Sequence, residues 1–279
     1  MTDTWRRFTT HHLAVAGLGV IAAFAVLALF APWLAPSDPL KQSLPDALSR
    51  PSLRFPLGTD EFGRCVLSRI IHGARLSLLV GVLATAIGAI AGTTLGLAAG
   101  YFRRLDGYVM RAMDVLLAFP GVLLAIAVMA ALGPSLPNVM IAVGIRSIPS
   151  FARITRGMVL SLKELEFVQG ALALGAGHGR VLLGHILPNS VSPLLVFSSM
   201  QVATAILLAA ILSFLGLGVQ PPTPEWGKMV SDGRAHLLEA PHVSLFPGIA
   251  IFLTVMGFNC LGDGLRDALD PRLRARTTE

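Results

Sequence analysis

Six long runs of the chain carry almost no charge: residues 13–34, 76–101, 114–132, 139 to about 154, 193–217 and 246 to about 265. A helix needs about 20 mostly apolar residues to cross a hydrocarbon layer about 30 Å thick, because lipid satisfies no backbone polar group from outside. Six such runs in 279 residues leave little chain for a soluble core. Composition agrees, since 54% of the residues are hydrophobic and only 14% are charged, with a mean hydropathy of +0.70. So little charge could not cover a soluble surface. The expected fold class is therefore all-α and polytopic, with six membrane helices. A cleaved leader would have an apolar core of only about 7–15 residues, so residues 13–34 are read as a retained first helix.

The net charge of +6 would suggest a nucleic-acid partner in a soluble chain. Here the arginines collect at the ends of the runs, at Arg6 and Arg7, at Arg103, Arg104 and Arg111, and at Arg272, Arg274 and Arg276. That pattern sets membrane topology, and no basic run is interleaved with aromatics, so no nucleic acid is expected. Six crossings put both termini on one side, and the short basic turn at Arg103 and Arg104 assigns that side to the cytoplasm. The resulting division is an inner segment 1–12, a first span 13–34, an outer loop 35–75, a core 76–265 and a charged inner tail 266–279. Cys65 and Cys260 fall at different depths, which predicts no disulfide.

One stretch departs from this hydropathy. Residues 161–189 lie between apolar runs yet contain Lys163, Glu164, Glu166, Arg180, His178 and His185. Ser161 precedes Glu164 by the spacing of a capping box, and Leu165, Val168 and Leu172 then recur with helical period. Gly175 is expected to stop that helix in a left-handed turn. After Gly177-His178-Gly179 a second short helix is expected to end at Pro188. Neither is long enough to span, so the stretch reads as a helix-turn-helix at the inner surface.

Within the second run Gly88, Gly92, Gly96 and Gly100 recur every four residues. They form one bare stripe, along which another helix can approach closely. Pro120-Gly121 predicts a kink in the third run, and Pro149 another in the fourth. Arg146 is a costly intramembrane charge, placed by default toward a pore or an internal partner. Asp114 is read as marking the start of the third span rather than as that partner. Gln201 lies with Ser198, Ser199 and Thr204 on the early half of the fifth run and is the other candidate for a translocation path.

The usual catalytic patterns are missing: no serine elbow, no GxxxxGK phosphate loop, no HExxH. The histidine pairs His178/His185 and His236/His242 lack the spacing and the carboxylate of a metal site. The chain is thus expected to be no enzyme in its own right, with no cofactor or metal bound. A secondary transporter driven by an ion gradient would need intramembrane carboxylates, which the runs lack.

The chain resembles the permease subunits of the peptide/nickel branch of ABC importers, with a type I (MetI-like) permease fold. The likeness rests on PLGTDEFGR at 56–64, MDVLLAFPG at 113–121, LSFLGLGVQPPTPEWG at 212–227 and GDGLRDALDP at 262–271. The family's cytoplasmic coupling loop corresponds to Gln169-Gly170-Ala171, then Gly175, then Leu187-Pro188 thirteen residues beyond that glycine. Gln169 and Gly170 depart from its acidic-Ala-Ala start, and Gly170 is expected to weaken its helix by about 1 kcal/mol relative to alanine. The resemblance implies an inner-membrane location and transport of short peptides, or alternatively of nickel as a chelate. It also implies a second, similar permease, two ATPase subunits that hold ATP and Mg²⁺, an extracytoplasmic solute-binding protein, and surrounding lipid. Glu164, Glu166, Gln169, Gly170, Ala171, Gly175, His185, Leu187 and Pro188 are then the candidate ATPase-coupling residues.

Overall fold

The computed structural model describes residues 8–269; Arg6, Arg7, Arg272, Arg274 and Arg276, on which part of the charge bias rests, lie outside them. Among the described residues, ten helices carry the fold, beside a four-residue helix at Ala31–Leu34. They are α1 (His12–Leu29), α2 (Val66–Tyr101), α3 (Arg103–Ala118), α4 (Gly121–Leu132), α5 (Leu136–Leu162), α6 (Glu166–Ala173), α7 (His178–Val181), α8 (Leu187–Phe214), α9 (Trp226–Gly233) and α10 (His242–Leu269). No strand occurs among the described residues, where Thr59 and Cys65 form an isolated bridge. Cys65 and Cys260 are free thiols.

Four of these units are long and apolar enough to cross a membrane: α1, α2, α10 and the continuous His178–Phe214. A fifth candidate crossing is broken, because α3 and α4 meet at 94° where a kink was expected. Asp114 and its neighbours therefore belong to a polar helix, not to a straight span 114–132. Phe119 and Pro120 are both extended at the break, and proline restrains the residue before it from the helical region. Alone, α4 has 12 residues, about 18 Å, too short for the full hydrocarbon thickness. The remaining expected run, the fourth, lies inside α5, whose 27 residues suffice in length, about 40 Å. Its Ser147 and Thr155 do not need to meet lipid, because α2 covers them.

That cover is the glycine stripe. A methyl added at Gly92 would lie 2.5 Å from the Ile148 carbonyl oxygen and from Phe151 Cβ, and one at Gly100 would lie 2.6 Å from Val159 Cβ. Gly96 meets Ala152 and Thr155, and Gly88 meets Ser147. All four thus face α5, as the spacing predicts, and Pro149 sits inside α5 without interrupting it.

α2 begins ten residues before the expected span. Residues 66–75 look polar, but Arg69 is buried, with Nε 3.4 Å from Asp60 Oδ2 and Nη1 donating toward the carbonyls of Pro39 and Pro222. Asp60 also accepts from Arg64 Nε at 2.6 Å and from the backbone N–H groups of Phe62 and Arg64. Trp226 is fully buried and donates Nε1 to Ile70 O at 3.0 Å, over Gly73, where a Cβ would lie 2.9 Å from its ring. Glu225 caps α9 by accepting from Gly227 N and Lys228 N at 2.9 and 2.8 Å. Burial pushes its carboxyl above the usual range, against the pull of those two bonds. The motifs at 56–64 and 212–227 thus form one clamp at one end of the bundle.

Candidate functional site

At the other end of α2 lies the polar stretch 161–189. The capping box expected at Ser161 and Glu164 is not formed. α5 continues through Leu162, and Ser161 Oγ points back to Gly157 O at 3.3 Å. The chain becomes extended only at Leu165 (φ −75°, ψ 145°), which precedes α6. Glu166 then occupies the first turn of α6, where a carboxylate favours the positive end of the helix. Glu164 is exposed in the connecting turn. Gln169 has a task that an acidic residue could not perform: its Nε2 donates to Lys163 O at 2.7 Å. Lys163 Nζ in turn donates to Gly100 O at 3.3 Å, so the last turns of α2 and α5 are capped from this joint.

Gly175 is left-handed (φ +82°), as expected. Ala176 N donates to Ala171 O at 3.0 Å and Gly175 N to Leu172 O at 2.9 Å, the pair of reversed bonds that closes a helix at such a glycine. Gly170 lies in α6 with open space around it, and Ala171 is half-buried. Val168, Val181 and Ile186 are fully buried with Val159 and Leu97. The stretch therefore has a core of its own, fastened to the ends of α2 and α5.

Pro188 does not end the second helix. Leu182–Ile186 form a π-turn in which Leu187 N bonds to Leu182 O, and the helix continues as α8. Proline cannot supply an N–H to the carbonyl four residues back, and the wider turn accommodates its ring. Asn189 Nδ2 and Ser190 Oγ take the carbonyls of His185 and Ile186 at 2.6 and 3.0 Å. His178 Nδ1 lies 2.8 Å from Tyr101 Oη, while the His185 ring stands 6.4 Å from Phe167.

The sequence reading missed the outward face. Leu174 is 91% exposed and Leu183 65%, with Leu165 and Phe167 nearly half exposed. Phe167 adjoins buried Val168, and one residue turns a helix by about 100°. A helical projection centred on Val168 would have placed Phe167 off the packed side.

Arg146 lies elsewhere. Of the arginines on α5, Arg153 Nη2 meets Asp114 Oδ1 at 2.6 Å and Arg156 forms a two-pronged pair with Asp106, with Nη2 to Oδ2 at 2.6 Å. Arg146 stands two turns before Arg153, half-buried, its side chain running over Gly121, where a Cβ would lie 2.6 Å from Nε. No ion pair or hydrogen bond engages it among the described residues. Gln201 is half-buried on α8, and no hydrogen bond joins it to Arg146.

Residues 74–275 match the family described as binding-protein-dependent transport system inner membrane component, and residues 1–51 match the N-terminal TM domain of oligopeptide transport permease C. The chain is 48% identical over 274 residues to the dipeptide transport system permease protein DppC of Alkalihalophilus pseudofirmus, covering 98% of this chain and 90% of that one. It is 52% identical over 274 residues to the glutathione transport system permease protein GsiD of Escherichia coli, with the same coverage. In fold it is similar to a chain of the MetNI methionine ABC transporter in inward-facing conformations, with a TM-score of 0.59 at 15% identity over 72% of this chain and 97% of that one. The chain therefore belongs to the family of inner-membrane permease components of binding-protein-dependent ABC transport systems.

Proposed function

We propose that this permease subunit carries short peptides inward, driven by separate ATPase subunits that push on residues 161–189. The observation that carries the coupling half is the apolar face of Leu165, Phe167, Leu174 and Leu183 on a segment with its own core. An exposed apolar face on a well-packed knob fits a groove in another protein. Glu164, Glu166, Gln169, Gly170, Ala171, Gly175, His185, Leu187 and Pro188 shape that knob. Both termini and the knob lie in the cytoplasm, a second, similar permease completes the pore, and a solute-binding protein delivers the cargo outside. Arg146 and Gln201 are assigned to the translocation path. Peptides are preferred to nickel because the relatives are named for dipeptides and for glutathione.

Leu174→Asp tests the coupling. Leu174 touches nothing that holds the subunit together, so the variant should fold and reach the membrane normally. Co-purification of the ATPase subunits and peptide uptake should both be lost. Unchanged uptake would remove residues 161–189 from the coupling role.

A further inference from the structure

Arg146 lies ten residues into α5, about 15 Å along its axis from Leu136 and some 24 Å from Leu162. That places it well inside the helix, more than two turns from either end. An arginine keeps its charge in proteins, and an unpaired charge at that depth is costly, so it takes a counter-charge. The fold supplies one to each of the two arginines below it, from Asp114 and Asp106. At the third it offers Gly121, which has no side chain. No acid occurs in the sequence between Asp114 and Glu164, or between Glu166 and Glu225, so α4 and α8 carry none. In α10, Asp263 and Asp267 lie in the last two turns, where Gly264 packs on Ala14 at the start of α1. Asp267 is there paired with His11.

No acid among the described residues of this chain supplies the missing anion, so a source outside the chain is called for. We propose that it is the α-carboxylate of the peptide in transit, which Arg146 receives midway through the pore. This rests on the peptide-importer reading above. A free C-terminal carboxylate is common to peptides of any sequence, so one fixed guanidinium can serve them all without reading side chains. Its planar fork matches the two carboxylate oxygens, and Gly121 leaves room for the side chain to lie across the bend. Neighbouring Phe119, Pro120, Val122 and Leu123 are exposed, which leaves the bend open toward the face that the second permease would close.

The test uses the complete importer with its partner permease, ATPases and solute-binding protein in proteoliposomes. L-alanyl-L-alanine and its C-terminal amide are supplied at saturating concentration to wild type, R146Q and R146K. In wild type the amide should move at no more than roughly a tenth of the acid's rate, the usual scale of a lost charge-assisted bond. R146Q should slow the acid roughly tenfold so that the two rates converge, and R146K should restore most of the difference. Rates that stay apart in R146Q, or acid uptake unchanged by it, overturn the proposal. So does failure of R146Q to assemble with the partner permease, because the counter-charge is then a carboxylate of that subunit. Absence of L-alanyl-L-alanine uptake by the wild-type importer instead sinks the peptide reading, and needs no variant to show it.

Discussion

Gly92→Ala is the most direct probe of what holds the bundle together. Its new Cβ would lie 2.5 Å from both the Ile148 carbonyl oxygen and Phe151 Cβ, against ordinary contacts of 3.4 Å or more. Neither obstacle is the free end of a flexible side chain. α2 and α5 must therefore part by about 0.9 Å, and overpacking of this kind costs about 1–3 kcal/mol. Gly107→Ala is the internal control, because it lies within α3 with nothing inside 4 Å. It should stabilise by up to about 1 kcal/mol, the helix preference of alanine over glycine. The helix preference of alanine is common to both positions, so the two identical changes should separate by about 1–3 kcal/mol, the overpacking alone. The assay is unfolding of the purified chain by increasing SDS mole fraction in mixed micelles. Fluorescence of the fully buried Trp226 can follow it. If G92A unfolds at or above the midpoint of G107A, the close approach of α2 and α5 is not what the stripe provides.

Three further outcomes follow from residues 161–189 and the clamp around Trp226. Gln169→Glu removes the donor to Lys163 O and should loosen the α5–α6 joint by about 1 kcal/mol; amide exchange across α6 should quicken, and unchanged exchange would count against the cap. Gly170→Ala should stiffen α6 by about 1 kcal/mol and preserve uptake, whereas Gly175→Ala, forced to φ +82°, should cost about 1–2 kcal/mol and lower uptake; equal effects would contradict the turn. Glu225 has a carboxyl pushed above 4.5 by burial, so the folded protein holds that proton more tightly than the unfolded chain. Stability should be highest below about 4.5 and decline as pH rises through the raised folded value. Unfolding midpoints measured from pH 4 to 8 should decline more steeply in wild type than in E225Q, where Glu61, its carboxyl also raised by burial, still contributes.

Much of this was legible before any coordinates, wherever one residue type had one physical reason to be there. The four-residue glycine spacing identified the face of α2 that meets α5, and Gly175 announced its left-handed turn. Failures came where two local signals competed. Ser161 and Glu164 had capping spacing, but α5 was still propagating and overrode them. Pro188 is a stop signal that a π-turn absorbed. At Pro120 the sequence showed a break without its size, because a 94° bend depends on where α3 is held by Asp106 and Asp114. The partners of Arg153 and Arg156 were invisible, being 39 and 50 residues away. The exposed leucines were missed for a different reason: in so apolar a chain, another leucine carries no information until burial is known.

The close fit of α2 to α5 also bears on how the chain enters the membrane. α2 qualifies as a crossing by composition, and α5 does not. When α2 leaves the insertion machinery its glycine stripe faces lipid, because the helix that fills it has yet to be made. α5 follows after the α3–α4 segment, carrying Arg146, Arg153 and Arg156 and partitioning poorly on its own. The stripe is then a docking rail: α5 is drawn out of the aqueous channel onto a helix already in place. Lesions in the stripe should thus appear in cells first as an inverted or degraded nascent chain, before any folded transporter exists to be measured.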